Sequence, residues 1–205
     1  SSDLSLGSKS AMIRTTYPSF DLFPKPARSF VLPGLKHILS FDVEEYFQVE
    51  AARTCVSRAD WSLWQRRLPE CMDRILNLLE ESQTSATFFV LGWVAKEEPD
   101  VVRRIAEAGH EIASHGMTHR MLHELSPREF REELLQSRAL LEDFCGRRVV
   151  GFRAPTFSVN HQTAWAFDLL SECGYEYDSS VFPIRHDRYG VPEAPREPHL
   201  AIGPG

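Results

Sequence analysis

The chain has 205 residues, 42% hydrophobic and 25% charged, with a net charge of −6, which is enough for one domain with a real core. An acidic balance with scattered basic residues offers nothing to nucleic acid or anionic lipid, and no apolar run reaches the roughly 20 residues of a membrane span. Cys55, Cys71, Cys145 and Cys173 lie far apart with no CxxC pair. Three of them fall on or at the end of apolar helical faces and are expected to be reduced and structural.

Residues 1–35 are rich in Ser and Pro without a sustained period and read as a flexible leader; a single domain is expected over 36–205. The N-terminus lacks the basic and apolar regions of a signal peptide. With the cysteine usage this favours a cytoplasmic location, the periplasm or cell envelope being the alternative.

Order is expected from "HILSFDV", a short apolar strand, and then a unit repeats. "LPECMDRILNLLEESQ" puts Leu68, Cys71, Met72, Ile75, Leu78 and Leu79 on one helical stripe, and "SATFFVLG" follows as a buried strand. "EPDVVRRIAEAG" places Val101, Val102, Ile105 and Ala106 on a helix ended by Gly109, before the strand "HEIASH". "SPREFREELLQSRALLEDFCG" opens with a capping box, Ser126 as N-cap, Pro127 at N1 and Glu129 at N3. Its apolar face carries Phe130, Leu134, Ser137, Leu141 and Phe144; Gly146 closes it and "VVGFRAP" is the next strand. A helix from Asn160 to Gly174 leads into "YEYDSSVF", and the remaining "FPIRHDRYGVPEAPREPHLAIGPG" has no period.

Strands alternating with helices mean an α/β fold with parallel strands and crossover helices. Five strands are visible, and both a doubly wound sheet and a (β/α) barrel fit the pattern.

In such folds functional groups gather at the carboxyl ends of the strands, and three strand ends here carry unusual chemistry. In "SFDVEEYF", Asp42 and Glu44 share a face if the strand continues. Like-charged carboxylates side by side need a cation or a proton between them; the alternative is a pair of solvated acids capping the next helix. In "SHGMTH", His115 and His119 lie four apart across a turn at Gly116. Two histidines and a carboxylate make a known catalytic zinc set, whereas surface histidines would merely solvate a loop. His110 and His123 read as bystanders. In "FRAPTF", Arg153 needs an anion, for which Asp42 and Glu44 are the nearest plausible partners, or it forms a surface salt bridge of little value. Pro155 fixes the turn that aims the Thr156 amide, as an oxyanion donor requires.

These motifs, in this order, resemble those of the polysaccharide deacetylase family (NodB homology, carbohydrate esterase family four) over roughly residues 37–190. The longer stretches "FDVEEYFQVE" and "YDSSVFPIRHDRYGVPEAPR" resemble the exopolysaccharide deacetylases of bacterial exosortase/PEP-CTERM loci. The resemblance implies a distorted (β/α) TIM-like barrel, here cut short after about five strands, and hydrolysis of N-acetyl groups on a polysaccharide. It implies that Asp42 is the general base toward the attacking water and that Glu44, His115 and His119 bind a divalent metal, zinc above others. Arg153 would orient and charge-balance Asp42, and the Thr156 amide would stabilise the oxyanion. Val43 intervenes where the family has two adjacent Asp residues, and Glu44 is preferred to Glu45 because alternation puts it on the face of Asp42. Thr156 stands where a Tyr usually follows the proline.

The family's late catalytic histidine has no evident counterpart; His186 and His199 are the late candidates. The sequence therefore reads as the N-terminal two-thirds of a longer domain. A catalytically impaired carbohydrate-binding homologue and an allantoinase-like amidohydrolase are the competing readings.

Overall fold

The computed structural model describes residues 38–204, so the expected leader lies outside the described residues. Five parallel strands form one sheet: β1 (Ser40–Val43), β2 (Thr87–Val90), β3 (Glu111–Ser114), β4 (Gly151–Phe152) and β5 (Tyr177–Asp178). The spatial order is β1-β2-β3-β4-β5, identical to the chain order. A doubly wound sheet reverses direction at a switch point. This one never does, so the sheet winds as a barrel does and stays open between β1 and β5 among the described residues.

The crossovers are α1 (Leu68–Glu81), α2 (Gly92–Glu97) with α3 (Pro99–Glu107), α4 (Pro127–Cys145) and α5 (Ala166–Glu172). The apolar face of α3, Val101, Val102, Ile105 and Ala106, is buried as its spacing predicts. So are Phe130, Leu134, Ser137 and Leu141 on α4. The capping box of α4 is intact: the Ser126 hydroxyl accepts from the Glu129 amide, the Glu129 carboxylate accepts from the Ser126 amide, and Gly146 ends the helix at φ 67°. No described helix is long and apolar enough to cross a membrane.

Four details differ from the sequence expectation. On α1 the buried stripe is Leu68, Met72 and Leu79, while Cys71 and Leu78 lie exposed on its flank. Cys55 is also exposed and only Cys173 of the four free cysteines is buried, so Cys71 does not serve as a core hydrophobe. Helix α5 begins at Ala166 rather than Asn160, because side chains compete for the backbone at its start. The Gln162 amide binds Asn160 Oδ1 at 2.8 Å and the Asn160 amide binds Thr163 Oγ1 at 2.9 Å, a turn instead of helix. Finally, the "LG" that closes the second strand motif lies outside β2: Leu91 is the N-cap and Gly92 the first residue of α2, a short helix with no period long enough to read.

Strand register sorts the side chains into layers. Asp42, Phe89 and Ala113 are paired across β1, β2 and β3 and share the inner face, as Gly151 and Tyr177 do across β4 and β5. The Tyr177 ring occupies the space that a Cβ on residue 151 would need, so Gly151 is what lets that ring lie flat on the sheet. Phe41 and Phe88 stack at 5.1 Å on the opposite, helix-covered face. The sites of interest lie at the carboxyl ends of β1, β3 and β4.

Candidate active site and metal centre

Strand β1 ends at Val43, so Glu44 and Glu45 sit in the loop beyond it, and their fates diverge. Glu45 is 2% exposed and its carboxylate accepts the amides of Arg67 and Leu68 at 2.9–3.1 Å. It therefore caps the N-terminus of α1, where an anion is favoured by the unpaired amides and the helix dipole. Glu44 turns instead to the histidines. The helix cap considered for Asp42 and Glu44 is made by Glu45 instead, which leaves Glu44 free of that task.

After β3 the chain turns through Gly116 at φ 77° and His119 at φ 54°. The turn folds both imidazoles inward: His115 and His119 are 1% and 4% exposed, with ring centroids 5.4 Å apart. One ligand atom each from Glu44, His115 and His119 falls within 4.8 Å of the others. Glu44 Oε2 lies 2.8 Å from His119 Nε2, yet it is buried without a hydrogen-bond partner. Such closeness without hydrogen-bond geometry is how lone pairs aimed at a common point are arranged. His115 Nδ1 is 2.8 Å from the carbonyl oxygen of Arg153, to which it donates, leaving Nε2 with a free lone pair. Burial pulls the His115 imidazole below its ordinary pKa, against the opposing pull of Asp42 and Glu44, and so favours the neutral ligating form. The donor set and its geometry fit a divalent metal.

Beside this cluster, Arg153 Nη1 donates to Asp42 Oδ1 at 2.8 Å. The rest of the guanidinium is committed too: Nε to the Ser179 carbonyl, and Nη2 to the hydroxyls of Ser179 and Ser40 at 2.8 and 3.0 Å. Its carbon stands 4.0 Å over the centre of the Phe89 ring. Arg153 is thus a fixed cation on the inner face rather than a surface salt bridge.

The turn after β4 holds Thr156 and Phe157 at φ 55° and 50°, a strained pair of the sort that persists where the surroundings enforce it. The amides of Phe157 and Ser158 bind the carbonyls of Ala154 and Pro155, which leaves the Thr156 amide as the unspent donor of the turn among the described residues. The entry to the turn is anchored by the Ala154 amide on Ser180 Oγ at 2.7 Å, and Ser180 is held by Asp178. Burial pushes the Asp178 carboxyl up to about 6 despite those hydrogen bonds.

All six site residues expected from sequence are therefore grouped around the ends of β1, β3 and β4. His110 is buried before β3 and joins no cluster. Among the late histidines, His186 stacks on Tyr189 at 3.9 Å, and neither it nor His199 belongs to the Glu44 group. Sequence reasoning missed Ser40, Arg58, Glu133, Ser179 and Ser180. Of these Glu133 left a signal, an acid on the buried stripe of α4 between Phe130 and Leu134.

Winding order and site together define a parallel α/β framework wound like a barrel, with a candidate metal centre at its strand ends. Residues 60–177, more than half of the chain, match the polysaccharide deacetylase family model, and the chain belongs to that family. The matched stretch includes His115, His119, Arg153 and Thr156, while Asp42 and Glu44 precede it. The chain is 36% identical over 106 residues to a chitooligosaccharide deacetylase of Rhizobium leguminosarum bv. trifolii, covering 50% of this chain and 45% of that one. It is 32% identical over 98 residues to a peptidoglycan-N-acetylglucosamine deacetylase of Bacillus cereus, covering 47% and 36%. The chain thus spans about half the length, or less, of these curated relatives. A crystal structure from Mycobacterium smegmatis, assigned as a polysaccharide deacetylase, superposes with a TM-score of 0.62 at 31% identity, covering 77% of this chain and 56% of that one.

Proposed function

We propose that the protein is a metal-dependent N-deacetylase of a bacterial exopolysaccharide, with zinc at Glu44, His115 and His119. The observation that carries this reading is the convergence of those three ligand atoms next to the Asp42–Arg153 pair. Nitrogen and carboxylate donors in a three-residue set favour zinc. When bound, the ion supplies polarisation of the acetamide carbonyl and acidification of water.

The protein's own groups do the rest. Asp42 has Oδ1 held by Arg153, which leaves Oδ2 to take the proton of the attacking water. Arg153 fixes that carboxylate in orientation through a directed hydrogen bond. The Thr156 amide donates to the oxygen on which negative charge develops, and its strained turn keeps it aimed there before substrate arrives.

The relatives named as chitooligosaccharide and peptidoglycan-N-acetylglucosamine deacetylases support an N-acetylated amino-sugar chain as substrate. The stretches "FDVEEYFQVE" and "YDSSVFPIRHDRYGVPEAPR" favour an exopolysaccharide among such chains.

The test is acetate release from N-acetylglucosamine oligomers and from N-acetylated exopolysaccharide by the full-length protein, wild type against Asp42→Asn. Loss of a general base is expected to slow release by about 10²–10⁴-fold with metal content unchanged. Wild-type rates in the variant would overturn the assignment of the base.

A further inference from the structure

We propose that Glu133, in the middle of α4, is the positioning residue that presents His119 to the metal; the inference rests on the metal reading of the site.

The turn from Gly116 to His119 is held from two sides. Its carbonyls are taken by donors on one side. Gly116 and Met117 accept from the amides of Gly92 and Trp93 at 2.8 and 3.0 Å, and Thr118 and His119 accept from the Arg58 guanidinium at 3.0 and 3.3 Å. The Gly116 amide donates to Ser114 Oγ at 3.2 Å, and the donors of Met117 and Thr118 go to one acceptor on the other side. Glu133 Oε2 accepts the amides of Met117 and Thr118 at 3.1 and 3.2 Å, and Oε1 accepts the Thr118 hydroxyl and Arg120 Nε. Glu133 is 7% exposed, and Arg120 Nε at 3.3 Å balances its buried charge.

His119 is a non-glycine residue at φ 54°. A backbone in that region persists only where its surroundings over-determine it, and here the amides of the two preceding residues are fixed by a single carboxylate. Without that carboxylate two partly buried amides and a hydroxyl lose their acceptor. The turn can then relax toward negative φ, which swings the imidazole off the line to Glu44. Glu133 touches none of the three ligands by these bonds and acts through the backbone that carries one of them. The carboxylates that support metal ligands from behind commonly control affinity in this manner.

The experiment uses the full chain with Glu133→Ala and Glu133→Gln. Zinc affinity is measured by competition with a chromophoric chelator, the visible spectrum of the cobalt-loaded protein is recorded, and the metal-free protein is melted. Glu133→Ala is expected to weaken zinc about 10–100-fold and to shift the cobalt bands. Glu133→Gln, which keeps an acceptor of the same shape, should recover part of both. A lower metal-free melting temperature with unchanged affinity and spectrum would make Glu133 a purely structural residue and overturn the proposal. If Glu133→Ala does not fold, Thr118→Val removes one donor to Oε1; shifted cobalt bands then support the proposal and unchanged bands overturn it. Wild-type protein that binds neither zinc nor cobalt overturns the metal reading and this inference with it, whereas metal binding indifferent to the variants overturns this inference alone.

Discussion

His115 Nδ1 lies 2.8 Å from the carbonyl oxygen of Arg153, the residue whose guanidinium holds Asp42. One residue thereby serves two groups, orienting the His115 ring through its main chain and the Asp42 carboxylate through its side chain. Strand pairing makes this possible: Ser114 is opposite Phe152, so the residues that follow each emerge side by side at the sheet end.

The dual role predicts a separation of effects in Arg153→Lys. Lysine keeps the charge but loses the planar fork that engages Asp42, Ser40 and Ser179 together. The carbonyl toward His115 remains. Acetate release is expected to fall by about 10²-fold or more, the scale of a misoriented general base, while metal stoichiometry measured by elemental analysis stays at the wild-type value.

Adjacent glutamates should fail differently. Glu44→Gln is expected to weaken metal binding with little change in the unfolding midpoint of the metal-free protein. Glu45→Gln is expected to retain metal but lose roughly 0.5–2 kcal/mol, the range for a disrupted N-terminal cap, because its carboxylate caps α1. Metal titration and urea unfolding of both variants check the pair; the opposite pattern would reassign the ligand.

Asp178 predicts a pH dependence of stability. Its carboxyl is raised by burial from 3.8 to about 6 in the folded protein, so the native state holds a proton that the unfolded chain releases. The stabilisation is fully present below pH 3.8 and is lost as pH rises through about 6. Unfolding free energies between pH 4 and 7 should therefore contain a decline that Asp178→Asn removes, measured by urea titration at each pH.

Leu134 and Leu135 offer a packing control on α4. Leu134 is fully buried and Leu135 is 50% exposed. Leu134→Ala is expected to cost about 2–5 kcal/mol, and Leu135→Ala no more than about 0.5 kcal/mol. Equilibrium unfolding of the two variants reads the difference directly.

Much of this architecture is legible without coordinates. Helix α3 and the capping box of α4 follow from periodicity and from Ser126, Pro127 and Glu129, since both signals are carried within a few residues of chain. The start of α5 was less legible because Asn160 and Thr163 redirect the backbone locally, and Cys71 and Leu78 lie at the margin of a stripe whose width only packing defines. Candidate residues were legible from composition at strand ends, an arrangement that parallel α/β topology makes meaningful.

By itself, then, the amino-acid sequence determined the alternation of strands and helices, the buried faces of α3 and α4, and the residue types available for a metal and a base. Tertiary structure alone decided the barrel-like winding of the sheet, the choice of Asp42 over Glu44 as the carboxylate that meets Arg153 across 111 positions, and the use of Glu45 as the cap of α1. It also decided the clamping of the His119 turn by Glu133. The reason is physical: helix periods and caps depend on near neighbours in the chain, whereas these contacts depend on strand register and on which helix end a loop meets.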